Sequence, residues 1–531
     1  MRQLAIAGFF SLSLALAGCK ADPATPEYWA KKLDAKSKKE KIKAVEELRK
    51  SKNLGPAMYP MLHAQLASEK APEVKKDIAR VLGEQKDVTA IDALTDAIDL
   101  GSTDTDVKGM NKEIATALGE IGDAKAAPAL VKLLSTKDNY TIIAAIEALG
   151  AMHAKDAFTA VNDLANNDSI ETFITKKALI ALGDIGDPRA VPALVKAMFK
   201  ERKGVSFYME SSFALYQLGT PAADALVPVA EGKDKEISAW AAQNGMLPAA
   251  LTAKSAQVLG DLHDLRAEKA LLEMLAFKEE RLDIQLFVRM RAADALGRSR
   301  SAAGAKALAE MVGETEPTAR QVYAWSISRI GGRDSLPKLI AASAKGPWDA
   351  RLESLKAIAM VGDERELAVM EKFGKDEAKA FDAECKSDDF GGSKDCADVP
   401  AGAKKHEETI ATFGKALEAA KECKADAACW AKKLDDKTLV VRERAAYEVG
   451  RSNNPALIGE LTKRLRERDL DARLAIIQGA DWLIHDSKDA MKAAQAALPD
   501  LQKQLGEERG KTEFVKVNED LRRLAVKIQR G

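Results

Sequence analysis

Apolar residues along most of this chain return at helical spacing, and the helices they define come in pairs. In the stretch 178–198, Ala178, Leu179 and Leu182 have the i, i+1, i+4 spacing of one helical face, and Val191, Leu194 and Val195 form the next face. Gly183 is suited to the left-handed residue that closes the first helix. Asp187 is suited to cap the second, with Pro188 at its first position, where a missing N–H costs nothing. The predicted unit is helix, glycine turn, Asp cap, helix.

The unit repeats. A Leu-Gly pair or a close variant ends at Gly83, Gly119, Gly150, Gly183, Gly219, Gly260, Gly297, Gly331 and Gly362, in steps of 31 to 41 residues. A period near 34 sustained this long predicts an array of stacked helix pairs. The residues 117–134 repeat the pattern closely, and 330–340 more loosely. These residues resemble HEAT repeats of the bilin-lyase type, well over 70–375 and more loosely at both ends. The resemblance implies an all-α fold, an α-solenoid in which the second helix of each pair lines an inner, concave face. It implies little about activity, because the motif is packing and capping chemistry. On that geometry the solvent side of the second helices includes Tyr208, Arg289, Arg320 and Tyr323, the candidate partner-binding residues. The two tyrosines lead, because aromatics are enriched at interface hot spots. Asp349 with Arg351, and Asp471 with Arg473, fit a structural ladder between neighbouring repeats.

A second duplication divides the chain. Trp29-Ala-Lys-Lys-Leu-Asp34 reappears as Trp430-Ala-Lys-Lys-Leu-Asp435, and the offset of 401 pairs Ser51 with Ser452 and Asn53 with Asn454. The expected organisation is a long solenoid segment over 28–374, an irregular insertion over 375–429, and a short segment over 430–531.

The first residues point out of the cytoplasm. Arg2, an apolar core over 4–16, and the closing Leu16-Ala17-Gly18-Cys19 look like the leader and lipobox of bacterial lipoproteins. That resemblance implies a signal peptide over 1–18, lipid on Cys19, and a tether over 19–27. Lys20 after the lipid site points to the outer membrane. The other cysteines, Cys385, Cys396, Cys423 and Cys429, are then four in an oxidising compartment. The favoured pairs are Cys385 with Cys396 and Cys423 with Cys429. Bridging a six-residue step requires the helix to stop at Cys423 and a new one, capped by Asp426, to carry Trp430. Spacings of eleven and six do not suit zinc.

Charge narrows the partners. The chain has 81 basic and 81 acidic residues, interleaved, so no basic stripe points to nucleic acid. The stretch 281–333, with Arg289, Arg291, Arg298 and Arg300 among acids, reads as a solvated mixed-charge face. The five histidines are scattered. A HEAT-repeat oxygenase family, the deoxyhypusine hydroxylases, spreads several His-Glu pairs over its repeats. Here His406-Glu407 stands alone, and one pair does not build a di-iron site. The motifs of phosphate loops, nucleophile elbows and zinc proteases are absent. The expected function is a non-catalytic, cofactor-free scaffold, lipid-anchored in the bacterial cell envelope and holding envelope proteins. The alternatives are a structural spacer or assembly factor, and a HEAT-based enzyme such as a lyase.

Overall fold

The computed structural model describes residues 22–314, 316–387, 394–511 and 514–531. Cys19 and its leader lie outside them. The described chain is helical, apart from a two-residue antiparallel pair, Glu201↔Ser206 and Arg202↔Val205. It divides into two compact units, Met1–Ile185 and Gly186–Gly531, a boundary inside the stretch expected to be one long segment.

In the first unit the second helices of successive pairs are α1 (Lys38–Arg49), α2 (Pro72–Glu84), α3 (Thr105–Ile121), α4 (Asn139–Ala151) and α5 (Thr172–Ile185). Each packs on the next. Their buried positions follow the helical period, as Ile142, Ala145, Ile146 and Leu149 do in α4. The shorter first helices begin at one-turn 3-10 segments, where Asp87 and Asp123 accept backbone N–H groups.

The Leu-Gly glycines do not close these helices. They lie inside them, where two second helices come closest. A Cβ on Gly83 would sit 2.6 Å from the Cα of Ala117, and one on Gly119 would sit 2.7 Å from the Cβ of Ala148. The left-handed residue comes three positions later and is often not glycine: Lys86 (φ 51°), His153 (φ 50°), His263 (φ 59°), Arg300 (φ 55°) and Asn453 (φ 53°). Its N–H bonds the ladder glycine's carbonyl, and the next N–H reaches one residue further back, as in Lys86 N to Gly83 O and Asp87 N to Leu82 O. Gly83, Gly119, Gly260 and Gly297 are therefore there for close approach, whereas Gly219 (φ 66°) and Gly331 (φ 76°) do end their helices in the left-handed region. Gly83→Ala is expected to destabilise by about 1–3 kcal/mol, since backbone must move to admit the methyl. Lys86→Gly is expected to stabilise by under about 1 kcal/mol, relieved strain exceeding added chain entropy. Urea unfolding of the two variants, which should shift in opposite directions, checks both.

The second unit contains α6 (Tyr208–Leu218), α7 (Pro248–Asp261), α8 (Leu282–Arg298), α9 (Pro317–Ile330) and α10 (Trp348–Val361). The stretch expected to be irregular follows as a helical hairpin, α11 (Leu367–Cys385) and α12 (Val399–Cys423). Ala403, His406, Ile410, Phe413 and Leu417 form its buried stripe, while Lys404, Lys405, Glu407 and Glu408 face solvent. The abundant charge is thus the outer face of a helix. His406 stacks on Trp348 at 3.7 Å and meets Glu377 at 3.0 Å, so the His406-Glu407 pair points two ways.

Both expected disulfides are formed. Cys385–Cys396 ties the hairpin, and Cys423–Cys429 turns the corner beyond it, with Cα atoms 5.4 and 5.2 Å apart. α12 stops at Cys423, Asp426 accepts the N–H groups of Ala428 and Cys429, and the helix Ala427–Lys433 begins. The duplicated entry is one local structure. Trp29 donates its indole N–H to the Pro23 carbonyl at 2.8 Å, and Trp430 donates to Lys424 at 2.9 Å, each six residues back.

After the corner, α13 (Leu439–Arg451), α14 (Leu470–Asp486) and α15 (Val515–Arg530) run back along the row already laid down. Trp325 of α9 donates to the Tyr447 hydroxyl of α13 at 2.9 Å. Trp482 of α14 donates to the Arg298 carbonyl of α8 at 2.8 Å, and Tyr216 of α6 to the Arg523 carbonyl of α15 at 3.2 Å. With α15 packed on both α14 and α6, the second helices close into a ring.

Candidate functional site

The ring uses up the face expected to bind a partner. Tyr323 is fully buried, which pushes its phenol up to about 12. Arg320 is 3% exposed and donates to the Glu314 carbonyl at 2.9 Å and to Asp349 at 2.5 Å. Arg289 donates to the Phe277 carbonyl at 2.9 Å, and Tyr208 to Gln257 at 2.6 Å. Tyr323 and Arg320 are thus buried, while Tyr208 and Arg289 are half-buried and held by neighbouring residues. The expected ladder joins neighbouring repeats, but each member pairs with a residue of the adjacent helix and not with its expected mate. Asp349 pairs with Arg320, Arg351 with Glu377, and Arg473 with Glu508.

Between the facing rows lies an ionic core. Arg298 approaches Asp294 at 3.1 Å, Asp520 at 3.2 Å and Asp261 at 3.3 Å. Arg523 reaches Asp261 at 3.1 Å and Asp520 at 3.2 Å, and Arg329 reaches Asp294 at 2.5 Å. Burial alone would raise Asp294, but Arg298 and Arg329 outweigh it and hold its carboxyl far below the usual range. For Asp261 burial wins over Arg523 and Arg298, and its carboxyl is raised. The 281–333 stretch therefore corrects its sequence reading. Arg298 and Arg329 are interior, with partners on α8 and, for Arg298, also on α7 and α15.

The ring has two mouths. At the C-terminal ends of the helices, a cavity of about 320 Å³ is lined by Tyr216, Thr220, Asp261, His485 and Lys527. Beside it His263 Nε2 meets Asp481 at 2.5 Å, and Lys527 donates to the same carboxylate at 2.7 Å. Burial lowers His263 to about 4 against the pull of Asp481, so it is neutral at pH 7. Lys527, together with the hydrogen bond from His263, keeps Asp481 ionised. At the N-terminal ends a second cavity, of about 290 Å³, lies among α9, α10, α13, α14 and α15. Trp325, Glu353, Lys356, Glu443, Asp471 and Lys516 line it. Lys356 bridges Glu443 at 3.0 Å and Asp471 at 3.3 Å.

The first unit carries two exposed aromatics on adjacent second helices. Tyr140 and Phe173 are the second residues of α4 and α5, which pack together, and they are 71% and 43% exposed. Sequence reasoning passed over both. The available signal was an aromatic one step past the helix start, off the stripe of buried positions. Around them the row carries ion pairs between neighbours: Arg80–Glu113 at 2.9 Å and Lys177–Glu147 at 2.5 Å.

Residues 100–174 match the family described as HEAT repeats, and 176–200 the PBS lyase HEAT-like repeat. No curated protein matches the chain. Among solved structures, human deoxyhypusine hydroxylase in complex with glycerol is 20% identical over 57% of this chain and 95% of its own, with a TM-score of 0.22. The CpcE–CpcF complex of phycocyanin lyase from Nostoc sp. PCC7120 is 20% identical over 60% of this chain and 98% of its own, with a TM-score of 0.26. Kap95p, from a structure with RanGDP, is 12% identical over 93% of this chain and 77% of its own, with a TM-score of 0.36. Scores this low carry nothing about function.

Proposed function

For this HEAT-repeat α-solenoid we propose a protein-binding scaffold, non-catalytic and held by lipid on Cys19 in the bacterial cell envelope, at the outer membrane. The observation that carries the binding role is the Tyr140–Phe173 pair. Two large exposed aromatics occupy the same position on adjacent second helices, with no aromatic partner among the described residues. Aromatic anchors of this kind supply most of the energy at protein interfaces. Stacked repeats present such anchors on a long, stiff surface. The envelope part of the reading rests on the leader and on four cysteines joined in two disulfides.

Crosslinking in intact cells, followed by capture of the chain from solubilised envelope, tests the reading. The wild type is expected to retain one or more envelope proteins. Tyr140→Ala with Phe173→Ala should weaken that binding by about 2 kcal/mol per anchor. Because both side chains are exposed, the double variant should unfold within about 0.5 kcal/mol of wild type. Undiminished capture by the variant would overturn the site. Cys19→Ala should release the protein from membranes, and unchanged fractionation would overturn the anchor.

A further inference from the structure

The N-terminal mouth of the ring is a polar cavity that the scaffold role does not use. Its lining holds three carboxylates, Glu353, Glu443 and Asp471, and two ammonium groups, Lys356 and Lys516, and the Arg329 guanidinium lies 3.6 Å from the centroid of the Trp325 ring. Lys356 is already shared between Glu443 and Asp471. Glu353 has no hydrogen bond or ion pair among the described residues. Burial holds its carboxyl above the usual range despite Lys356 nearby. Glu353 is thus the one carboxylate of this lining without a cation of its own among the described residues.

Its aromatic wall is suited to one. The Lys516 ammonium lies 3.8 Å from the ring centroid of Trp325. Lys516 is exposed, at the second position of α15, on a flexible stem. It is an alkylammonium seated on an aromatic face beside carboxylates, and it is free to swing away. Val322 and Leu474 supply apolar contact for a methylene stem. Helix N-termini at this mouth would favour an anion, but those of α9, α10 and α14 are already answered by acids. Glu316 accepts from Ala319 at 2.9 Å, Glu384 from Trp348 at 3.0 Å, and Asp469 from Asp471 at 3.0 Å. At about 290 Å³ the cavity is at the small end for ligand sites and suits one extended amine.

We propose that this mouth binds a small alkylammonium ligand, a diamine or polyamine, which displaces Lys516 from Trp325 and pairs with Glu353. Calorimetric titration of the purified full chain with 1,5-diaminopentane tests it. Saturable binding is expected, weakened at least tenfold by Glu353→Gln and strengthened several-fold by Lys516→Ala. Pentanoate and 1-pentanol, which keep the stem and lose the cation, should not compete. Urea midpoints of both variants, expected near wild type, separate a lost site from a lost fold. No binding by either wild type or Lys516→Ala would overturn the proposal. So would equal binding by Glu353→Gln, or competition by pentanoate. Binding of a lysine-bearing peptide without binding of the diamine would overturn the small-ligand reading and give the cavity to a protein side chain.

Discussion

Arg298→Ala is expected to lower the stability of the second unit by about 3–5 kcal/mol, seen as a large fall in its urea midpoint. The guanidinium is 12% exposed and stands among Asp294, Asp520 and Asp261. Arg523 and Arg329 cannot compensate three carboxylates from their own positions, so negative charge is left buried without a partner. Arg266 makes the contrast. It pairs with Asp224 and Asp264 at 2.5 Å, but its side chain is 51% exposed. Water screens that pair, and Arg266→Ala should cost under about 1 kcal/mol. Similar losses for the two variants would show that the ionic core does not hold the ring.

The second large effect is on pH. His263 titrates at about 4 in the folded chain and near 6.5 unfolded. Between those values the unfolded state binds the extra proton, so stability rises with pH across the window. The contribution is fully present above about pH 6.5 and is lost as pH falls towards 4. The 2.5-unit difference corresponds to about 3 kcal/mol, of which about 2 is gone by pH 5. Asp481, held low by Lys527 against burial, adds a further loss only below about pH 4. His263→Asn keeps a residue that tolerates the left-handed backbone and an amide that can donate to Asp481. The urea midpoint of wild type should fall between pH 7 and 5, and that of His263→Asn should fall less steeply, the remainder coming from His485 and His406, which burial also lowers. Parallel curves would remove His263 as the cause.

Much of this was legible in the chain. The pairing of helices, the Asp caps and the repeated Trp entry are local chemistry, written within a dozen residues. So was the corner at Cys423, because a six-residue disulfide cannot span an unbroken helix. What stayed hidden depends on residues far apart. Nothing beside Arg298 says that Asp520, 222 positions on, will complete its pairing. Periodicity marks an exposed charge and a charge buried by a distant helix in the same way. The Leu-Gly glycine was misread for a related reason. A small residue near a helix end suits a left-handed turn, and only the neighbouring helix reveals that it is there for contact. Tyr140 and Phe173 needed the converse judgement, that no later segment covers them.

The closed ring also sets an order of events. In the first unit the described helix pairs pack mainly on their neighbours, so structure can spread one repeat at a time as the chain emerges. In the second unit Tyr216 bonds the Arg523 carbonyl, 307 residues on. Closure waits for the last helix, and loop entropy that grows with chain length slows such pairing. Until α15 packs, Arg298 lacks Asp520 and Asp261 lacks Arg523 as partners. Release of the final helix is thus the step that commits the whole ring to its folded state.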